Sequence, residues 1–294
     1  MDAWRDRGRR RTLPTMVTAH DLLPGNGRTL LAVLSHADDF AIFAGGTLAR
    51  FSDEGWRVVG ARATDDRWDS VGLSESETIA ANAAELAEAA RILGMAEIVE
   101  LGYPTDTLGD VSELELRERV IRLIREHRPY ALLTFDPYSM FAEDNQDHVR
   151  LAQAVDEAFW TAQFDKHHPD QIAAGMEPHG VFERWYVGRR VVEVTDVVDI
   201  AATLDRKVEA VCAHETPMRN FANQLRLQAR TGGYSLPVTD QVLAGGEVRL
   251  VVEPLLRAAA SAAGSRHGLE AAEEFRVVRF GGLVDWLEQN GRAL

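Results

Sequence analysis

Hydrophobic positions along the chain fall into two kinds of run. Thr29 to Leu34, Trp56 to Ala63, Glu97 to Leu101 and Ala131 to Phe135 are short and rich in apolar residues. They read as strands, Thr29 to Leu34 as one covered on both faces. Longer segments between them carry helical spacing. In Asp39 to Ser52, Phe43, Leu48 and Phe51 recur near one face and Gly55 supplies a stop; Ser74 to Leu93 opens on a Ser74/Glu77 capping box and closes on Gly94. Val111 to His127 and Gln146 to Ala162 complete the set. Strands alternating with helices of this length predict right-handed βαβ crossovers and a Rossmann-like α/β fold: a mostly parallel sheet flanked by helices.

Beyond residue 162 the pattern loosens. Gln163 to Gly180 holds His167, His168 and His179 without clear periodicity and is expected to be a loop or lid over a site. Trp185 to Val194 reads as a pair of short strands, followed by helices over Val197 to His214 and Met218 to Arg230 and a mixed helical and β extension to the C-terminus. Residues 1–27 are expected to form a disordered tail and 28–294 one domain, with 181–294 contributing to a substrate pocket. No internal repeat is visible.

Chemistry concentrates at two strand ends. The run LAVLSHADDFAIFAGGT, Leu31 to Thr47, delivers His36, Asp38 and Asp39 where a buried strand meets a helix start. Asn145-Gln146-Asp147-His148 follows the strand ending at Phe135. Ligands of open parallel sheets sit beyond the strands' carboxyl ends, and two such ends supplying His, Asp and His suggest one divalent metal. A helix N-cap would account for one aspartate, but not for the histidine or for the distant His148. Residues 35–40 contain no glycine, which argues against a dinucleotide-binding turn. Gly45 and Gly46 lack the lysine and spacing of a phosphate loop and are read as packing positions.

Composition narrows the partners. A chain of 294 residues, 46% of them hydrophobic, can bury a sizeable core. Its net charge of −14, with basic residues clustered only from Arg5 to Arg11, argues against nucleic acid. No segment has the apolar length of a membrane span or of a signal peptide. The single cysteine, Cys212, excludes a thiolate zinc cluster, suits a reducing cytoplasm and is expected to be a small packed helix residue.

Ser35-His36-Ala37-Asp38-Asp39-Phe40 with Gly45-Gly46-Thr47, and Asn145-Gln146-Asp147-His148, resemble the two signatures of the PIG-L/LmbE-like metal-dependent N-deacetylases. Leu93-Gly94, Lys207-x-x-Ala210-x-x-x-His214 and Ala272-Glu273-Glu274-Phe275-Arg276 are weaker echoes, so the resemblance spans roughly 28–285. It implies His36, Asp39 and His148 as ligands of Zn2+ or another divalent ion, and Asp38 as the general base that takes a proton from water. The implied reaction is hydrolysis of an acetamide on a small molecule such as an amino sugar, an aminocyclitol or a glycosylated natural product. Asp147 is expected either to orient a ligand histidine or to serve the helix dipole. A carbamate or other amide hydrolase, or a catalytically silent sugar-binding relative, would use the same pocket. A homo-oligomer is compatible with the sequence and not required by it.

Three positions depart from the family pattern. Phe40 replaces a glutamate that supports the metal loop, so another acid or packing must do so. Asn145 replaces a histidine; its amide can donate to an oxyanion but cannot deliver a proton, leaving Asp38 to protonate the amine unless His167, His168, His179 or His214 folds over the metal. Asn82, followed by Glu85, stands where relatives carry a sugar-contacting arginine. With the acidic, aromatic loop Asp65 to Asp69, this points to a specialised polyhydroxylated or cationic substrate rather than the amino-sugar conjugates of thiol metabolism.

Overall fold

The computed structural model describes residues 18, 19 and 22–292. The tail expected over 1–27 lies mostly outside the described residues, but its last part is packed: Leu22 is buried, Gly25 N–H donates to Glu54 O, and Trp56 Nε1 donates to Leu23 O. Eight strands form one sheet: β1 (Thr18–Ala19), β2 (Thr29–Leu34), β3 (Arg57–Thr64), β4 (Glu97–Tyr103), β5 (Ala131–Phe135), β6 (Glu183–Val187), β7 (Asp196–Asp199) and β8 (Ala272–Arg279), in the order β1-β7-β8-β6-β5-β2-β3-β4. All pairings are parallel except those of β8 with β6 and β7.

The side-chain period of two along β2 divides the core. Leu30, Ala32 and Leu34 face one layer, with α1 (Asp39–Asp53) and α2 (Glu75–Leu93); Leu31 and Val33 face the other, with α3 (Glu113–His127) and α4 (Gln146–Thr161). Local chemistry sets the helix ends. Ser74 and Glu77 form the expected capping box on α2, and Gly94 ends that helix at φ +76°, which glycine adopts without a Cβ penalty.

The chain leaves β2 toward β3 and β4, then returns to place β5 on β2's other side. Open sheets bind their ligands at such a switch point. The loops that follow β2 and β5 carry the two sequence motifs.

Four expectations change downstream. Residues 163–180 are not a lid: α5 (Pro169–Ala173) is tied to α3 by buried Gln171, which bonds Arg125 and Glu118, while His179 Nε2 meets Pro129 O at the opposite, amino end of β5. The strand pair expected within 185–194 is instead β6 and β7, separated by an irregular stretch. The start of the helix expected at Val197 is strand β7, whose buried Val197 and Val198 pair with β8, so α6 begins only at Leu204 (Leu204–Ala213). The helix expected at Met218 begins earlier, as α7 (Glu215–Thr231). Helices α8 (Pro237–Leu243), α9 (Arg249–Arg266) and α10 (Val284–Asn290) complete the fold. Among the described residues no helix is long and apolar enough to cross a membrane.

Candidate active site

His36 lies two residues past the end of β2, Asp39 begins α1, and His148 lies in the first turn of α4; all three are buried. His36 Nδ1 lies 3.1 Å from His148 Nε2 and 3.2 Å from Asp39 Oδ2, and His148 Nε2 lies 3.4 Å from Asp39 Oδ1. One donor atom from each residue fits within a mutual distance of 4.8 Å. Tetrahedral zinc bonds of about 2.0–2.1 Å separate their ligand atoms by roughly 3.3–3.4 Å, so this donor set fits a divalent ion with little adjustment.

Each imidazole is braced from its far side. His36 Nε2 is 3.4 Å from Asp147 Oδ2, and His148 Nδ1 is 2.9 Å from Glu143 Oε2. Carboxylates behind ligand histidines fix the ring's tautomer and direction. Asp147 is fully buried and also accepts from Asp106 N–H at 2.7 Å and Leu108 N–H at 3.0 Å, so it binds the loop after β4 to the metal loop. Phe135 stacks on the His148 ring at 4.0 Å and Phe43 meets its edge.

The support lost with a glutamate at position 40 comes from Asp66. Phe40 itself is buried in the core. Asp66 adopts the left-handed conformation, φ +56°, which aspartate tolerates better than most residues. From there Oδ2 accepts from Ala37 N–H and Arg62, and Oδ1 from Thr64 Oγ1. Burial raises the Asp66 pKa to about 6 even though His36 and Arg62 oppose the shift.

The second half of the first motif is held by residues echoed far downstream. Helix α1 is broken at Ala44, where φ is −140°, and the freed N–H groups of Gly46 and Thr47 donate to the Glu273 carboxylate at 3.1 and 2.8 Å. Lys207 Nζ completes a buried ion pair with Glu273. A Cβ on Gly46 would stand 2.7 Å from Ile200 side-chain atoms, so this glycine admits close packing. The pair of glycines is therefore a packing feature, as expected, and its partners are Ile200 and Lys207.

Electrostatics at the centre call for added positive charge. Burial disfavours ionised Asp39, but His148 and His36 outweigh it and hold the carboxyl well below its ordinary range. Burial likewise opposes charge on the histidines, yet Asp39 and the bracing carboxylates raise His36 well above its usual value and His148 to about 9. Asp38 behaves in the opposite way: burial, followed by the charges of Asp39 and Asp69, pushes its pKa well up. Although Asp38 occupies the N-cap position of α1, its side chain makes no capping bond and instead lines a cavity of about 540 Å³.

That cavity also includes Trp68, Asp69, Thr105, Asp106, Asn145 and Arg189, and most of the 181–294 contribution comes from α7 and α9. Asn145 is the N-cap of α4: its Oδ1 accepts from Asp147 N–H at 2.8 Å and His148 N–H at 3.4 Å, which assigns the remaining Nδ2 group as a donor. Asn82 does not reach the cavity; its buried Nδ2 donates to Asp66 O, while Glu85 accepts from Thr216. His167, His168 and His179 also lie away from it. His214, buried at the α6–α7 junction, has no hydrogen-bond partner among the described residues on either ring nitrogen; burial, reinforced by Arg62, lowers its pKa to about 4.

Residues missed by sequence reasoning are Glu143 and Arg189. Arg189 Nε lies 3.1 Å from Glu143 Oε1, linking the cavity rim to the His148 brace. Glu143's position two residues before Asn145 is a signal that could have been used.

Residues 31–159 match the sequence profile of the family described as PIG-L: GlcNAc-PI de-N-acetylase. Over this segment the chain is similar to that family. The chain is 28% identical over 198 residues to the diacetylchitobiose deacetylase of Thermococcus kodakarensis, covering 64% of this chain and 70% of that protein. It is 29% identical over 159 residues to the 1D-myo-inositol 2-acetamido-2-deoxy-alpha-D-glucopyranoside deacetylase of Mycobacteroides abscessus, covering 45% and 57%. The structure of N,N'-diacetylchitobiose deacetylase from Pyrococcus horikoshii superposes with a TM-score of 0.70 at 23% identity, covering 88% of this chain and 86% of that one. The shared fold therefore extends well past the matched segment, through the C-terminal elements that wall the cavity.

Proposed function

We propose that this protein is a metal-dependent N-deacetylase that removes the N-acetyl group, or a related N-acyl group, of an amino sugar, an aminocyclitol or a glycosylated natural product. The observation that carries this reading is the convergence of His36, Asp39 and His148, each imidazole backed by a carboxylate, beside an Asp38 carboxyl that makes no capping bond to α1. Similarity to two amino-sugar deacetylases supports the same reaction class.

His36, Asp39 and His148 would hold the ion, with zinc our assignment from the donor types. Such an ion supplies Lewis acidity toward the amide carbonyl and lowers the pKa of water. Asp38 accepts a proton from the attacking water and returns it to the departing nitrogen, since Asn145 cannot supply one. Its burial beside Asp39 and Asp69 favours a carboxyl able to hold that proton between the two steps. Asn145 Nδ2 donates a hydrogen bond to the oxyanion, while its Oδ1 stays fixed on the α4 N-terminus. Asp147 and Glu143 keep the two rings in place.

On the product side, Trp68, Asp69 and Asp106 offer a stacking face and carboxylates to hydroxyls or an ammonium. The lone half-buried Cys212 suits a reducing cytoplasm, where we place the protein. The decisive experiment incubates wild-type and Asp38→Asn proteins with N-acetylated amino sugars and aminocyclitols and follows acetate release by mass spectrometry. Asp38→Asn should lose about 10²- to 10⁴-fold in turnover while keeping its metal. Equal turnover by the two proteins would remove Asp38 from the mechanism.

A further inference from the structure

The cavity is divided in composition, and the division bears on which amide is cut. The loops after β3 and β4 contribute Trp68, Asp69 and Asp106, and the loop after β5 contributes Asn145. Helices supply most of the apolar lining: Ile42 and Phe43 from α1, Met218 and Phe221 from α7, Leu255 and Leu256 from α9, with the polar Asn220 and Gln224 also on α7. Asp69 Oδ1 accepts from Asn220 Nδ2 at 2.6 Å, a bond that ties the acidic loop to α7. Phe43 carries the apolar wall up to the centre, because its ring meets the edge of His148 at 5.9 Å.

An acetyl group needs only a small part of such a wall. A volume of about 540 Å³ is that of a pocket for a ligand of drug size. Leu255 is 50% exposed while facing the cavity, and Ile42, Phe43, Phe221 and Leu256 are only partly buried. Several apolar side chains left open beside a polar site mark a place where something apolar binds.

Charge decides which end of the substrate goes there. Hydrolysis forms a C–O bond from water to the acyl carbon and breaks the C–N bond, whose electron pair leaves on nitrogen and takes a proton, giving a carboxylate and an ammonium. The ammonium side belongs with Asp38, Asp69 and Asp106, since carboxylates stabilise it and would repel the departing acid. The acyl side then falls on the helical wall.

We infer that the apolar wall formed by α1, α7 and α9 is an acyl-chain subsite, and that the enzyme prefers N-acyl amino sugars with chains longer than acetyl. This rests on the deacylase reading above, which the test separates from it. Binding of N-acetyl-, N-butanoyl-, N-hexanoyl- and N-octanoylglucosamine to metal-loaded Asp38→Asn protein is measured by calorimetry, and kcat/KM for the same series on the wild-type holoenzyme. Each methylene withdrawn from water strengthens binding by at most about fourfold, so N-hexanoylglucosamine should bind about tenfold or more tighter than the acetyl compound. The dependence of kcat/KM on length should run in parallel, and Leu255→Gln and Phe221→Gln should both flatten it.

Binding that is flat or falls with acyl length overturns the inference, as does a gain seen only when the apolar chain is moved to the glycosidic oxygen of N-acetylglucosamine. Length-dependent binding with no hydrolysis at any length would uphold the subsite and sink the deacylase reading. Efficient hydrolysis of the acetyl compound alone would uphold that reading and sink the subsite. The wild-type series decides the matter even if a variant fails to fold.

Discussion

Replacing Asp147 by asparagine separates the bracing of the metal centre from its ligands. Both carboxylate oxygens are in use: Oδ1 accepts from Leu108 N–H at 3.0 Å, and Oδ2 accepts from Asp106 N–H at 2.7 Å while facing His36 Nε2 at 3.4 Å. An amide has one acceptor oxygen, so one of these directions must meet an N–H with another N–H. Turning the amide nitrogen toward Leu108 sacrifices one backbone bond; turning it toward His36 sacrifices two partners. The first arrangement should therefore prevail, leaving one buried donor unpaired at about 1–3 kcal/mol. For a domain of this size that lowers the melting temperature by roughly 2–12 °C in the metal-free protein. Loss of the negative charge behind His36 should also weaken metal binding by about 10- to 100-fold. Differential scanning calorimetry of the chelator-treated protein reads the first effect and competition with a chromogenic chelator reads the second. A variant that melts lower but keeps wild-type metal affinity would refute the claim that Asp147 acts through His36.

Further outcomes follow from other parts of the centre. Glu273→Gln leaves the Lys207 ammonium buried without its charge partner and should cost about 3–5 kcal/mol in urea unfolding. Adding Lys207→Met should recover part of that loss, whereas simple additivity would contradict the pairing. Glu143→Gln keeps one acceptor for Asn145 N–H or for His148 Nδ1 but not for both, so metal affinity should fall by about 10- to 100-fold, as measured by the same chelator competition. His214, whose pKa drops from 6.5 to about 4, binds its proton more readily in the unfolded chain. Stability from this residue is therefore complete above about pH 6.5 and is lost as pH falls toward 4. Between pH 7.5 and 4.5 the metal-free wild type should lose about 2–3 kcal/mol more than His214→Met, and parallel unfolding profiles would remove His214 as the cause.

What the sequence revealed depended on the range of the interactions involved. The boundaries of β2 and β5 were legible because a strand buried on both faces is written in consecutive residues, and the ends of α2 because Ser74, Glu77 and Gly94 act within one turn. The pairing of His36 with His148 was legible through the switch-point rule, which turns a topology into a location. Asp66 and Glu143 were not read as supports, since nothing local shows that a carboxylate on one loop turns back on the N–H of another or on a ring. The segment 197–199 was mistaken for helix because Val197 and Val198 owe their strand state to pairing with β8, a partner more than seventy residues away. The histidines of 163–180 suggested chemistry by residue type alone, yet the burial of Gln171 against α3 fixes that segment away from the centre.

The most direct measurement is the metal content and affinity of purified wild-type and His148→Ala proteins, determined by elemental analysis after equilibrium dialysis against zinc. One equivalent in the wild type, and loss of stoichiometric binding in the variant with its fold retained by circular dichroism, is the expected result. A His148→Ala protein that still holds one equivalent at wild-type affinity would contradict the ligand set on which the proposed hydrolysis depends.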